Sequence, residues 1–261
     1  MIQVKNLIKR FGDRAVLDGI NLTIPEGKIT VIMGGSGCGK STFLKNLIGL
    51  QRPSGGEILI EGRNVALLTE KEFDEVRKKF GMLFQGAALF NSFTVGDNVA
   101  LPLREHTDLS EEIVRIIVKI KLELVGLTGF ENFYPHQISG GMKKRVALAR
   151  AIALDPKIVF YDEPGAGLDP ITAAMIDQLI LDLSRKLQIT SVVVTHEMKS
   201  AFRIADQMVV LHRGKVIVEG TPEAVKQSSN PYVRQFIHGE AEGAIPFRQS
   251  SEAYLKGLLE P

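Results

Sequence analysis

The stretch Ile29-Thr30-Val31-Ile32-Met33, continued by Gly34-Gly35-Ser36-Gly37-Cys38-Gly39-Lys40-Ser41, decides the fold of this chain. The first segment is an apolar run without alternation, which is typical of a strand buried on both faces. The second fits the pattern G-x-x-x-x-G-K-[ST], and a predicted helix over Ser41–Leu50 follows it. A phosphate-binding loop between a buried strand and a helix predicts an α/β protein with a nucleotide site.

The residue types of this loop suit phosphate chemistry. Glycines let successive backbone N–H groups converge on phosphate oxygens, and the following helix adds the positive end of its dipole. Lys40 is predicted to supply a charge for the β- and γ-phosphates, and the Ser41 hydroxyl a magnesium ligand. The predicted ATP contacts are Gly34, Gly35, Ser36, Gly37, Cys38, Gly39, Lys40, Ser41 and Thr42. Cys38 is either a small filler or a thiol whose alkylation would block nucleotide binding.

A second strand delivers two carboxylates to the same region. Four apolar residues, 158–161, precede Asp162-Glu163, so both carboxylates fall at the carboxyl end of a predicted strand. Ligands bind at that edge of open α/β sheets. Asp162 is predicted to hold Mg²⁺, and Glu163 to polarise the attacking water as general base. The alternative is a solvated acidic turn, against which the upstream phosphate loop argues.

The remaining pattern indicates how the chain is organised. Alternating strands and helices predict an α/β core with a mostly parallel sheet. The first 30 residues read as short strands and turns, and a helical block over about 86–155 reads as an inserted subdomain. Within it, a helix from about Ser110 to Val125 is predicted to begin with an Asp108–Glu111 capping box. The other predicted elements are strands Ile2–Lys5, Val16–Leu22, Gly56–Glu61, Lys79–Phe84, Lys157–Tyr161 and Thr190–Val194, helices Met142–Leu154 and Ile171–Leu187, and a hairpin of Gln207–His212 with Lys215–Glu219.

Composition excludes several classes. The 261 residues are 44% apolar and 24% charged, which excludes global disorder. A net charge of +2 excludes a nucleic-acid binder that works by bulk charge. The single cysteine excludes an intrachain disulfide and a cysteine-rich zinc site, and favours a reducing compartment. The longest uncharged stretch, 80–96, holds polar residues and glycines, so no transmembrane helix is predicted.

A third motif adds a second anion-binding helix start and brings a family resemblance. Ser139-Gly140-Gly141 opens a basic amphipathic helix, with the serine as N-cap. With this motif the sequence resembles the ATPase subunits of ATP-binding cassette (ABC) transporters over nearly its whole length. The matching motifs, in the order of that family, are the Walker A loop 34–41, the glutamine loop at Gln85, the signature 139–141, the Walker B strand 158–163, the D-loop 167–169 and the switch histidine His196.

The resemblance implies a mechanism and a fold. The implied fold is a P-loop ATPase core with an N-terminal antiparallel β subdomain and an inserted α-helical signature subdomain. It implies a homodimer in which Ser139, Gly140 and Gly141 of one subunit act on ATP held by the other. Gln85 would contact Mg²⁺ and the attacking water, and His196 the γ-phosphate. Asp169 would cross the interface.

One aromatic residue and two departures from the family pattern stand out. Phe11 lies where the family stacks a ring on adenine, and the alternative is an edge-strand core residue. Met142 replaces the usual signature glutamine, and Gly165-Ala166-Gly167 is glycine-rich where threonine or serine is frequent. ATP contact is expected to survive the first departure, because Ser139, Gly140 and Gly141 remain, and the second is expected to loosen the D-loop.

Segments outside the ATP motifs carry a narrower resemblance. Residues 84–90, 98–107, 168–172 and 231–236 are similar to the ATPase of the Mla phospholipid transporters. This implies phospholipid transport between inner and outer membranes, a peripheral location on the cytoplasmic face of the inner membrane, and a separate integral-membrane permease. A periplasmic MCE-domain protein and a small STAS-domain protein are further implied partners. The alternatives are an ATPase of another ABC transporter, such as a solute importer, a soluble ABC ATPase of repair or translation, and a regulator without turnover.

The C-terminal tail of the chain follows the nucleotide-binding motifs. We expect residues 1–239 to form the nucleotide-binding domain and 240–261 a C-terminal extension. The extension holds apolar and aromatic residues such as Phe247, Tyr254 and Leu258. It either packs on the neighbouring subunit, as the resemblance favours, or is a frayed terminus.

Overall fold

A computed structural model of the chain describes residues 1–244, in two sheets with helices on both faces of the larger one. The strands are β1 (Ile2–Phe11), β2 (Arg14–Ile24), β3 (Ile29–Met33), β4 (Gly55–Ile60), β5 (Arg63–Asn64), β6 (Phe80–Leu83), β7 (Ile158–Asp162), β8 (Thr190–Val194), β9 (Gln207–His212) and β10 (Lys215–Gly220). The helices are α1 (Lys40–Leu47), α2 (Glu70–Arg77), α3 (Val95–His106), α4 (Glu111–Leu124), α5 (Gly140–Ala151), α6 (Pro170–Lys186), α7 (Met198–Ile204), α8 (Pro222–Lys226) and α9 (Pro231–His238).

The larger sheet has the order β10-β9-β3-β8-β7-β6. All its pairs are parallel except the hairpin of β9 with β10. Crossover helices are needed to join parallel strands, and they bury both faces of the sheet. Strands β3 and β8 are buried at every position, which agrees with the continuous apolar runs in the sequence. The predicted mostly parallel α/β core is confirmed.

The smaller sheet has the order β2-β1-β4-β5 and is antiparallel throughout. Strand β1 is longer than the predicted Ile2–Lys5 because it continues through shifts in its pairing with β2 after Val4 and Leu7. Such bulges break the alternation of apolar and polar residues on which strand prediction depends. The turn at residues 12–13 lies where the sequence predicts it.

Two apolar clusters hold these layers together. One lies between the two sheets and contains Ile32 and Phe160 of the parallel sheet together with Phe43 of α1. The other lies on the opposite face and contains Val31 and Tyr161. Because consecutive residues of a strand point to opposite faces, β3 and β7 each contribute to both clusters.

The segment between β6 and β7 contains α3, α4 and α5 and no strand, which agrees with the predicted helical block. The capping box predicted at its second helix is wrong. Ser110, not Asp108, is the N-cap of α4, and it makes no side-chain cap hydrogen bond. The domain limits of 86–155 and 1–239 stay predictions.

Two further predictions concern the membrane and the tail. Within residues 1–244, no helix is long and apolar enough to cross a membrane. Residues 245–261 of the extension lie outside the described residues, so the packing of the extension on a neighbouring subunit stays a prediction.

Gly81 marks the closest approach of β6 to α5. A Cβ atom built on Gly81 would lie 2.2 Å from the main-chain oxygen of Ala151, at the end of α5. We expect Gly81→Ala to lower the free energy of unfolding by about 1–3 kcal/mol, because the backbone must shift. Denaturant unfolding measures this. Gly55→Ala is the control, since its Cβ would meet nothing closer than Ile8 at 3.9 Å. Equal stability of both variants would contradict the close approach.

Candidate functional site

The phosphate loop is shaped by glycines that no other residue can replace without strain. Gly34 follows β3 with φ 148°, and a Cβ there would lie 2.2 Å from the main-chain oxygen of Leu211. Gly39 is the N-cap of α1 with φ 111°, and a Cβ there would lie 2.8 Å from Leu17. Both φ values lie where L-residues are strained. The loop is therefore pressed against β2 and β9 and held open toward solvent.

Lys40 is folded over this loop. Its Nζ donates to the main-chain oxygens of Gly34 at 2.7 Å and Gly35 at 3.1 Å, and the residue is only 9% exposed. The ammonium is thus held at the loop by two main-chain carbonyl groups. Because its two partners are neutral carbonyl groups, a phosphate oxygen can compete for the charge.

An open cavity of about 260 Å³ lies beside the loop. Its lining residues are Arg14, Val16, Gly37, Gly39, Lys40, Ser41 and Thr42. Phe11, at the end of β1, pairs with Arg14, so it lies at the strand end that borders this cavity. Its side chain is 49% exposed, which contradicts the alternative of a core residue. The Lys9 Nζ lies over the Phe11 ring, 5.1 Å from its centroid, and the adenine contact stays a prediction.

The two carboxylates lie where β7 ends, and Glu163 adopts an unusual backbone there. Its φ of 48° is left-handed, a conformation that costs a non-glycine residue on the order of 1–3 kcal/mol. Its N–H donates to the main-chain oxygen of Val194 at 2.8 Å, so the turn is tied to β8. Glu163 is 9% exposed, and its carboxylate faces the loop that follows β8. Surrounding contacts hold this strained residue in place.

His196 meets Glu163 directly. The His196 Nδ1 and Glu163 Oε1 atoms are 2.9 Å apart, and the His196 main-chain N–H donates to Oε2 at 3.3 Å. The two predicted catalytic residues are therefore brought together by the ends of β7 and β8. The imidazole ring itself is exposed.

Asp162 has the properties of a cation ligand. Its Oδ1 atom is buried and has no hydrogen-bond partner among the described residues. Burial, reinforced by the charge of Glu163, raises the pKa of this carboxyl, while Lys45, Lys144 and Lys40 oppose the shift. An orphaned buried carboxylate oxygen is costly unless something binds it. Magnesium fits this position, because it prefers one or two carboxylates together with substrate phosphates and hydroxyl groups.

Residues 1–244 contain no group of three or more His, Cys, Asp or Glu side chains arranged to hold a metal by themselves. A cation at Asp162 would therefore need oxygens of other kinds, such as the Ser41 hydroxyl and nucleotide phosphates. Ser41 is exposed in the first turn of α1.

Lys144 was missed as a functional candidate because the sequence places it in a basic run that reads as solvated. The structure buries it, and its Nζ donates to the main-chain oxygen of Gln85 and, at 3.4 Å, to that of Glu163. Gln85 itself follows β6 with an exposed side chain. Lys144 lies three residues after Gly141 and four before Leu148, so the three residues share one face of α5, and the structure buries all three. This spacing is the sequence signal that could have identified Lys144.

The signature turn and the D-loop aspartate lie at the surface and are built as helix caps. Ser139 is the N-cap of α5, and its Oγ accepts from the Met142 N–H at 3.2 Å. Asp169 is the N-cap of α6, and hydrogen bonds led by those from Thr172 hold the pKa of its carboxyl below its usual range. A Cβ at Gly141 would lie 2.4 Å from Thr172 Cγ2, so this glycine permits the contact of α5 with α6.

A family model described as "ABC transporter" matches residues 17–166, which is more than half of the chain. The chain belongs to the ABC transporter family. As a member of that family it is an ATP-binding protein and an ATPase, and it forms the ATP-hydrolysing subunit of a transporter. The P-loop, the paired carboxylates and the histidine at one sheet edge agree with this.

Three individual proteins show the similarity. The chain is 47% identical over 260 residues to the "Intermembrane phospholipid transport system ATP-binding protein MlaF" of Haemophilus influenzae, covering 100% of this chain and 98% of the relative. It is 45% identical over 251 residues to the "Probable ribonucleotide transport ATP-binding protein mkl" of Mycobacterium leprae, covering 96% and 72%. The solved structure of the ATP-binding cassette MJ0796, a dimer bound to ADP and Pi after hydrolysis, matches with TM-score 0.78 at 35% identity, covering 85% and 99%.

Cys38 is buried in the phosphate loop, where the residue is only 6% exposed, as expected of a small filler; that its alkylation blocks nucleotide binding stays a prediction. Burial raises the pKa of this thiol, and Lys40 opposes the rise. A raised pKa means less reactive thiolate near neutral pH, with reactivity recovering as the pH rises.

We expect N-ethylmaleimide to label Cys38 of the native ATPase at pH 7.5 at least about tenfold more slowly than in the unfolded chain, because burial suppresses both access and ionisation. Mass spectrometry measures the two rates. Protein that does become labelled is expected to lose ATP binding, since the adduct fills the loop. Equal labelling rates, or normal ATP binding after labelling, would contradict this.

Proposed function

We propose that this ATPase drives phospholipid transport between the inner and outer membranes as a homodimer bound to an integral-membrane permease. The observation that carries the proposal is its 47% identity, over 100% of the chain, to a phospholipid transport ATP-binding protein. Its place would be peripheral, on the cytoplasmic face of the inner membrane. A periplasmic MCE-domain protein, reached through the permease, and a STAS-domain protein are the further partners that we propose.

Each site residue has a proposed role that agrees with its position in the structure. The P-loop from Gly34 to Thr42 would hold the phosphates, and Lys40 would exchange its carbonyl partners for phosphate oxygens. Phe11 would stack on the adenine. Mg²⁺, bound through Asp162, Ser41 and Gln85, would neutralise charge that develops on the phosphate oxygens.

Hydrolysis would depend on Glu163 as the general base. Its carboxylate, oriented by the ring and the main-chain N–H of His196, would accept a proton from the attacking water. His196 would also contact the γ-phosphate through its exposed ring. Little covalent chemistry falls to the protein in phosphoryl transfer, so the fixed positions of these groups matter most.

The dimer is proposed from the position of the signature motif. Ser139 and Gly140 are exposed, and Gly141 lies between α5 and α6. These residues and Asp169 would complete the nucleotide site of a second copy. The MJ0796 cassette, which is similar over 85% of this chain, is dimeric.

A second candidate has its own support. A relative from Mycobacterium leprae, 45% identical over 251 residues or 96% of this chain, is named for ribonucleotide transport. Full-length coverage of the phospholipid relative and its higher identity favour phospholipid as the substrate.

Purification from native membranes separates these candidates. We expect the tagged full chain to co-purify with an integral-membrane protein, and the ATPase rate of that complex to respond to added phospholipid and not to ribonucleosides. Mass spectrometry identifies the bound chains, and an untagged strain is the control. Absence of any membrane protein would contradict the transporter, whereas stimulation by ribonucleosides alone would support the second candidate.

Two variants are expected to separate catalysis from binding. Glu163→Gln should reduce ATP turnover by about 100-fold or more while retaining ATP binding, because only the base is lost. Lys40→Ala should weaken ATP binding by about 10- to 100-fold, because a charged hydrogen-bond donor is lost. Phosphate release and titration with a fluorescent ATP analogue measure the two quantities.

Asp182→Asn is the control for charge removal, since Asp182 is bonded to Gln178 on α6. It should keep both binding and turnover. A Glu163→Gln protein with near-native turnover would refute the assignment of the base. Size-exclusion chromatography should also show that Glu163→Gln with ATP accumulates as a dimer.

A further inference from the structure

Two cations of the signature helix α5 contact main-chain atoms of the neighbouring loops. The ammonium of Lys144 donates to the oxygens of Gln85 and Glu163, and the residue is only 5% exposed. The guanidinium of Arg150, two turns further along α5, donates to the oxygens of Ala88 at 2.7 Å and Ala87 at 2.8 Å. One helix therefore holds the backbone of both the glutamine loop and the Walker B turn.

The backbone at these contacts is strained. Glu163 has φ 48°, Ala87 has φ 61° and Ala88 has φ 49°, all in the left-handed region that favours glycine. Backbone of this kind persists only where the surroundings hold it. The carbonyl groups of all three residues accept hydrogen bonds from α5, so the helix supplies that support.

The surroundings of Lys144 explain why a charge remains in the interior. A buried ammonium is costly unless opposite charge and hydrogen bonds compensate it. The carboxylates of Asp162 and Glu163 supply opposite charge to the ammonium, and the main-chain oxygens of Gln85 and Glu163 accept its hydrogen bonds. The ammonium is therefore bound to backbone oxygens and attracted to the carboxylates, a combination that a neutral side chain of the same length could not reproduce.

We propose that Lys144 is a positioning residue for ATP hydrolysis, whose ammonium ties the backbone of the glutamine loop to the backbone that carries Glu163. A movement of the glutamine loop would then move the Glu163 carboxylate, because the backbones of the loop and of Glu163 are hydrogen-bonded to the same buried ammonium. The inference rests on the proposed role of Glu163 as general base.

Lys144→Met tests this inference in the full-length chain, because methionine keeps most of the volume and removes every N–H donor. We expect kcat for ATP hydrolysis to fall by about 10- to 100-fold, as expected for a displaced catalytic group. The KM and the affinity for a fluorescent ATP analogue should stay unchanged. Hydrogen–deuterium exchange should become faster in peptides covering residues 84–89 and 162–166, which have lost their common anchor.

Lys121→Met is the matched control. Lys121 is also buried, on α4, but its partner is the side chain of Asp155 and neither functional loop. This variant is expected to keep the wild-type kcat and the wild-type exchange at both loops. If Lys144→Met does not fold, Lys144→Gln takes its place, with the same direction of change, because its shorter neutral side chain cannot bridge both oxygens.

The result that overturns the inference is a folded Lys144 variant with wild-type kcat or with wild-type exchange at either loop. A loss of ATP affinity that accounts for the lost activity would also overturn it, since Lys144 would then act in binding. These outcomes differ from failure of the proposed base. If Glu163→Gln is inactive and Lys144→Met is normal, only the positioning role is wrong; if Glu163→Gln is active, the base itself is wrong.

Discussion

The site depends on one row of main-chain hydrogen bonds, in which β8 pairs in parallel with β3 on one side and β7 on the other. Val194 of β8 stands opposite both Ile32 and Asp162. Beyond that row the Thr195 N–H donates to Ile32 and the Glu163 N–H to Val194. Because parallel strands carry their carboxyl ends to one edge, this register alone brings the phosphate loop, the carboxylates and His196 together.

The same register explains which parts of the fold could be predicted from sequence. The run 29–33 and the run 190–194 are buried on both faces, so their apolar composition marks them without ambiguity, and the predicted bounds Thr190–Val194 are those of β8. The residues that directly follow such runs could be assigned chemical roles, because the carboxyl end of a parallel strand places them at the ligand-binding edge of the sheet. The extent of β1 could not be predicted, since its bulges disturb the alternation. The bounds of α3 could not be predicted within the helical block, because Pro102 lies in the interior of this helix and proline usually ends one.

Contacts across the fold are the part of the site that sequence pattern does not carry. Lys144 lies in the run Lys143-Lys144-Arg145, in which only its helical spacing from Gly141 and Leu148 distinguishes the buried cation from its neighbours. The left-handed backbone of Glu163 is equally invisible, because a glutamate carries no local preference for it. Lys144 is buried where α5 packs against β6, and the backbone of Glu163 is held by contacts from both α5 and β8. The sequence thus indicates which groups act, whereas packing determines how firmly they are held.

The strained backbone of Glu163 and the exposure of the signature turn bear on the same mechanism. Glu163 is held by its hydrogen bonds to β8, Lys144 and His196, so contacts within the chain position its carboxylate. Ser139, in contrast, is exposed, and its hydrogen bonds within residues 1–244 are those of its own helix cap. One half-site, around Glu163, is held by hydrogen bonds, and the other, at Ser139, is exposed. This arrangement agrees with a mechanism in which ATP joins two copies. In that mechanism the nucleotide would close the dimer around a carboxylate that contacts within one chain position, and ATP would favour closure only as far as it binds the closed state more tightly.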